Sequence, residues 1–206
     1  MKNLLILAIA LSSIFATCNK RTDCSQTDYS FEGFFKAYPD RDSIKIGDTI
    51  WLETKIPVQI KDRINGEVIN YTGALNLGTA IGYGQLLGGN LLNTGGIPAA
   101  NDFVNILLMG VTVQSLKPDQ VREFLFVEEG GFYLFKLAIV AKKQGLFAVS
   151  VGNAANVYTK NNKCSKASFD FTFKDTNQHL YLYEQSRPGY FASEYEKTHL
   201  YVFKVY

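Results

Sequence analysis

Residues Ala167–Asp175 read "ASFDFTFKD". Phe169, Phe171 and Phe173 fall on one side of an extended chain, with Asp170, Thr172 and Lys174 on the other. Successive side chains of a strand point to opposite faces, so this period of two marks a strand with one buried and one wet face. The alternation recurs on the way outward. In "TIWLETKIP" (Thr49–Pro57), Ile50, Leu52 and Ile56 alternate with Trp51, Glu53 and Lys55. Further strand candidates are "DFVNILLMGVTVQS" (Asp102–Ser115), "VREFLFVEE" (Val121–Glu129), "FYLFKLAIVA" (Phe132–Ala141), "LFAVSV" (Leu146–Val151) and "HLYVFKVY" (His199–Tyr206).

Turn residues separate these runs: Gly47-Asp48, Gly130-Gly131 and Gly145. Asn65-Gly66, between "VQIKDRI" and "EVINY", is a two-residue hairpin signal. Strands about every ten residues, with hairpin turns and no strand–helix alternation, predict an all-β antiparallel β-sandwich, immunoglobulin-like or related. The one helical expectation is "NQHLYLYEQ" (Asn177–Gln185), a short helix of the C-terminal region capped by Asn177. Composition agrees, since 15 Phe and 12 Tyr stand against 2 Met, a bias that suits pleated sheets. The chain carries 21 basic and 19 acidic side chains. It has no arginine cluster or basic stripe of the kind that binds nucleic acid.

The chain opens with Lys2 and then the apolar run "LLILAIALSSIFA" (Leu4–Ala16). That run fits a signal-peptide core and is too short to span a bilayer, which takes roughly 20 apolar residues. Cleavage after Ala16 would leave the bulky Ile14 at the −3 position, where a secretory peptidase wants a small residue. "FATC" (Phe15–Cys18) instead resembles the bacterial lipoprotein signal, with Phe15 standing where Leu is usual and Thr17 where Gly, Ala or Ser is usual. That resemblance implies cleavage before Cys18 and acylation of its thiol, which would hold the chain on a lipid bilayer. Residues 1–17 are then the signal, 18–28 a polar tether and 29–206 a single domain.

An exported chain meets an oxidising compartment, and three cysteines leave one to explain. If Cys18 carries lipid, Cys24 and Cys164 form a disulfide closing a loop of about 140 residues, worth at most about 5 kcal/mol by chain entropy. The rival pairing, Cys18 with Cys24, would strand Cys164. The signal, the "IGDTIWL" turn-and-strand and the "YVFKVY" ending together resemble uncharacterised Bacteroidota-type envelope lipoproteins with an immunoglobulin-like domain. No activity comes with that resemblance. "NKRTD" after Cys18 lacks an acidic export run, so the expected location is the outer membrane, facing the periplasm.

Candidate sites are few. The glycine-rich run "GALNLGTAIGYGQLLGGNLLNTGG" (Gly73–Gly96) has neither nucleotide-binding fingerprint. It is read as an excursion or bulged hairpin whose Tyr83, Leu86, Leu87, Leu91, Leu92 and Ile97 offer a docking surface for an envelope protein. Trp51, outward by alternation, is the sharpest candidate for stacking a sugar ring of a polysaccharide. Tyr181, Tyr183, Tyr190, Tyr195 and Tyr206 are the other members of such a platform. Glu128 and Glu129 are adjacent on a strand, so they cannot flank one glycosidic bond. His179 and His199 have no nucleophile in an elbow motif beside them, and Asp40 and Asp42 lack the glycine and final Glu of a calcium loop. The expectation is a lipid-anchored, non-enzymatic binding or scaffolding module with no cofactor and no metal.

Overall fold

Phe169, Phe171 and Phe173 are buried, and so are Ile50, Leu52 and Ile56, on the faces that alternation assigns them. The computed structural model describes residues 27–86, 96–187 and 189–206. The strands in chain order begin with β1 (Asp28–Tyr38), β2 (Ser43–Ile44), β3 (Thr49–Pro57), β4 (Gln59–Lys61), β5 (Val68–Asn70), β6 (Ala74–Leu75), β7 (Gly78–Gln85) and β8 (Ile97–Pro98). They continue with β9 (Phe103–Met109), β10 (Val111–Val113), β11 (Val121–Leu125), β12 (Val127–Glu129) and β13 (Phe132–Ala141). The last four are β14 (Gly145–Val151), β15 (Ala154–Thr159), β16 (Asn162–Phe173) and β17 (Leu200–Val205). Two short helices, α1 (Leu180–Gln185) and α2 (Glu194–His199), join β16 to β17.

The first sheet runs β12–β13–β3–β1–β16–β15–β6, with β9 also paired to β13. The second runs β10–β11–β7–β14–β17–β2, with β8 paired to β7, and β4–β5 form a separate ribbon. The inner faces of the two sheets meet in one aromatic core, so the fold is an all-β sandwich. Phe35 is its hub. Its ring lies 5.7–6.5 Å from those of Phe126, Phe135, Phe171 and Phe173, tilted or edge-on as aromatic pairs prefer. Buried tyrosine hydroxyls find partners. Tyr71 donates to the Val157 carbonyl at 2.7 Å and Tyr133 to the Tyr71 carbonyl at 2.5 Å. Burial pushes the Tyr133 hydroxyl up to about 12.

The structure departs from the expectation of a wholly antiparallel sandwich. β1 runs parallel to β16, and β17 parallel to β2. β1 itself is not legible as a strand at first sight. Phe31, Gly33, Phe35 and Ala37 face inward while Phe34 faces out, so a glycine in and a phenylalanine out disguise the period of two. Gly33 is required by its neighbour. A Cβ there would lie 2.5 Å from the Phe171 ring and 2.9 Å from Ile56 Cδ1.

Glycine explains a second difference. Within the run from Gly73, Gly78–Gln85 is the strand β7, held between β11 and β14. A Cβ at Gly78 would collide with the Phe124 carbonyl and one at Gly82 with the Ser150 hydroxyl. These glycines are close-approach residues in a strand. β7 then pairs antiparallel with β8, as a hairpin does.

The β4–β5 hairpin forms as expected, but through a wider loop, with Asp62 N–H donating to the Glu67 carbonyl at 2.8 Å and Gly66 N–H to the Asp62 carbonyl at 2.9 Å. The late helix α1 also forms, but its cap is His179 in the left-handed region (φ 50°), not Asn177. Asn177 Oδ1 instead accepts from His179 N–H at 3.3 Å. α2 takes the place of the expected first residue of the last strand, since His199 ends the helix. Ser193 and Glu196 form a capping box there, and Glu196 also accepts the hydroxyls of Tyr183 and Tyr190 at 2.7 and 2.5 Å.

Gly33→Ala should lower stability by about 1–3 kcal/mol, the usual cost of overpacking a filled core. Denaturant unfolding checks this, and a midpoint equal to that of the parent chain would contradict the Gly33–Phe171 contact.

Candidate functional site

The two outer faces of the sandwich differ. On the second sheet, Leu146, Ala148 and Val202 lie beneath the segment that carries α1 and α2 and form a small apolar cluster with Leu86, Tyr183 and Ala192. The outer face of the first sheet instead carries alternating aromatic and lysine side chains from β1, β3, β13 and β16.

Strand register sets these side chains in rows. Tyr38 stands opposite Trp51, Trp51 opposite Ala138 and Ala138 opposite Ile106. The next outward row is Lys36, Glu53, Lys136 and Met109. Beyond it Lys55 faces Leu134, and on the other flank Phe34 faces Thr172. The Tyr38 and Trp51 rings stack at 6.3 Å and 16°. The Lys136 ammonium lies 5.7 and 5.4 Å from their centroids. Lys55 sits 4.0 Å over Phe132, and Lys174 4.5 Å over Phe34, which is 42% exposed.

Glu53 ties the centre together, accepting the Tyr38 hydroxyl at 2.9 Å and lying 3.5 Å from Lys136 Nζ. The Tyr38 hydroxyl, ahead of the Glu53 carboxylate, holds the Lys136 ammonium above the usual lysine range. A depression of about 520 Å³ opens here, with Lys36, Lys55, Lys136 and Lys174 on its wall against the carboxylates of Glu53 and Asp175. Such a wall offers positioned cations between aromatic edges, which suits an extended anionic ligand.

The residues singled out from sequence are scattered. Trp51 faces outward and is half-buried against Tyr38. Tyr83 is 4% exposed in β7 and donates to Asn105 Oδ1 at 2.5 Å, and Leu86 is 4% exposed beneath the helical segment. Both are core residues, so neither offers a docking surface. Leu87, Leu91 and Leu92 lie outside the described residues, as do Cys18 and Cys24.

The tyrosines do not assemble with Trp51 into one platform. Tyr183 is buried, Tyr190 crosses it edge-on, Tyr195 stacks on His199 at 3.8 Å, and Tyr181 donates to Asp42. That hydrogen bond from Tyr181, above other causes, holds the Asp42 carboxyl below the usual range. Glu128 accepts from Gly73 N–H at 2.7 Å.

The histidines are structural ties. His179 Nδ1 donates to the Val202 carbonyl at 3.1 Å with Nε2 3.4 Å from Asp40, and His199 Nε2 lies 3.5 Å from Asp170. Among the described residues, no three His, Cys, Asp or Glu side chains converge as for a metal ion. No described helix is long and apolar enough to cross a membrane.

Sequence reasoning missed Tyr38 and the lysine rows. The signal for Lys136 was present in "FYLFKLAIVA", where alternation turns it outward beside Trp51. Tyr38 was hidden with the rest of β1. Compared with known protein families, with curated proteins and with solved structures, the chain matches none.

Proposed function

We propose that this chain is a lipid-anchored, non-enzymatic binding module of a bacterial envelope that holds an acidic polysaccharide on the open face of its first sheet. The observation that carries the ligand is the lysine wall. Lys36, Lys55, Lys136 and Lys174 outnumber the carboxylates of the same depression and stand among Phe34, Tyr38 and Trp51. Lysines pair with sugar carboxylates, while aromatic edges pack on the C–H faces of pyranose rings. The Trp51 indole is engaged by Tyr38 and Lys136, so it serves as one member of a cationic surface, not as a bare platform for a neutral sugar.

The anchor rests on the lipoprotein-like "FATC" ending at Cys18. The outer membrane, facing the periplasm, remains the proposed address. Pairing of Cys24 with Cys164 is supported by the register of β1. Thr27 accepts from Lys166 N–H at 3.0 Å, Cys24 stands three residues before Thr27 in the chain, and Cys164 two before Lys166. Such a link would tie the start of the domain to the strand on which β1 depends.

Two outcomes are expected. A Cys18→Ser chain should move from the membrane to the soluble fraction of the producing cell, and retention equal to the parent would contradict the anchor. Polygalacturonate should bind the parent chain with an affinity that falls as salt rises, while uncharged dextran should not bind. The double variant Lys36→Ala, Lys136→Ala should bind polygalacturonate about tenfold more weakly, two exposed ion pairs being worth roughly 1–1.5 kcal/mol together. Equal affinities for parent and variant would overturn the lysine face as the binding surface.

A further inference from the structure

His179 and His199, the chain's two histidines, stand at the two ends of the helical segment over the second sheet. His179 caps the start of α1, and His199 is the last residue of α2. Each is 4% exposed. Neither belongs to the lysine face, so the proposed ligand gives no reason to bury them.

Both rings meet the same kinds of partner. Nδ1 of His179 lies 3.1 Å from the Val202 carbonyl, and Nδ1 of His199 lies 2.9 Å from the Tyr195 carbonyl. A carbonyl oxygen only accepts, so each Nδ1 carries a proton. The Thr198 hydroxyl, 2.8 Å from His199 Nδ1, leaves this unchanged, since it donates to the Tyr195 or Glu194 carbonyl at 3.0 or 3.2 Å. On the far side of each ring, Nε2 faces a carboxylate: Asp40 is 3.4 Å from His179 and Asp170 is 3.5 Å from His199. A neutral imidazole has one N–H. With that proton on Nδ1, the Nε2 lone pair would point at another acceptor. His199 Nε2 is buried with no hydrogen-bond partner among the described residues to offset this. Only the imidazolium, protonated on both nitrogens, suits both sides.

We propose that the two histidines form a pH-sensitive clasp, which holds the α1–α2 segment on the sandwich while the rings are charged and loosens it when they are neutral. The charges around each ring favour that role. His179 faces Asp40, Asp42 and Arg41 of the β1–β2 connection, with Tyr181, Tyr201 and Tyr206 around it. His199 faces Asp170 of β16, and its ring stacks on Tyr195. Behind Asp170, Arg63 lies 3.1 Å from that carboxylate and 3.2 Å from Glu32. Two carboxylates thus stand against one guanidinium at each end. A guanidinium does not titrate, so Arg63 keeps Asp170 in place while His199 changes charge.

The direction follows from the Nε2 protons, which an ordinary imidazole loses at about pH 6.5. Both ion pairs are complete below that range and lost above it, so the segment sits more firmly at low pH. Protonation of buried histidines is a known means of biasing a packed element between two states. Release here would bare Leu146, Ala148 and Val202 on the second sheet.

Nuclear magnetic resonance of the full chain, carrying isotope-labelled histidine, reads the proton on each ring nitrogen. At about pH 5.5, below the ordinary imidazole range, both rings should carry two ring protons. Raising the pH to about 8.5 should neutralise both. The hydrogen-exchange protection of α1 and α2 amides should then fall about tenfold, as expected from losing two partly exposed ion pairs. Protection factors remove the intrinsic pH dependence of exchange, and β13 amides should keep theirs. In a chain carrying both Asp40→Asn and Asp170→Asn, each carboxamide can donate to a neutral Nε2, so helix protection should be equal at the two pH values. Rings neutral at the lower pH, or parent helices equally protected at both, would overturn the clasp. So would an equal loss in parent and double variant. The parent's own readings decide the matter if the variant does not fold, and none of them involves polysaccharide.

Discussion

Eight residues of β1 lie parallel to eight of β16, from Asp28 against Lys166 to Phe35 against Phe173. The two strands are far apart in sequence, and a parallel pair cannot be closed by a short turn. What fixes its register is a size match. Gly33 stands opposite Phe171, and the space its missing side chain leaves is taken by the Phe171 ring. A slip of one residue would put Phe34 inside and Phe35 outside, emptying the hub of the aromatic core. A disulfide from Cys24 to Cys164, as proposed, would clamp the same end of the same pair.

That register also determines the open face. With Phe31 and Phe35 inside, Phe34, Lys36 and Tyr38 point out, beside Thr172 of β16 and Lys174, the residue after its end. β3 and β13 continue the rows with Trp51, Glu53, Lys55 and Lys136. The chain then spends its last connection, α1 and α2, on the second sheet, where Leu146, Ala148 and Val202 would otherwise be wet. One outer face is roofed and the other carries rows of lysine and aromatic side chains. The proposed function follows from this asymmetry.

Much of the sandwich was legible because a strand with one wet face records its orientation every second residue. "ASFDFTFKD", "TIWLETKIP" and "FYLFKLAIVA" each display it, and each is a strand here. Failures came where a residue served a neighbour more than its own strand. Gly33 and Gly82 are glycine because Phe171 and Ser150 approach, and locally they read as a broken pattern and a loop. Parallel pairing left no local mark, since it belongs to two segments at once. α2 has a local mark, the Ser193–Glu196 spacing of a capping box. For the site, alternation turned Trp51 outward correctly, but the stacking of Tyr38 and the approach of Lys136 depend on register across three strands.

Lysine footprinting tests the central claim most directly. The chain would be acetylated at low stoichiometry with and without saturating polygalacturonate, and each lysine read by peptide mass spectrometry. The account predicts that Lys36, Lys55, Lys136 and Lys174 are protected together, while the exposed Lys45, Lys117 and Lys160 react as before. Protection spread evenly over all of these lysines, or confined to the second group, would contradict it.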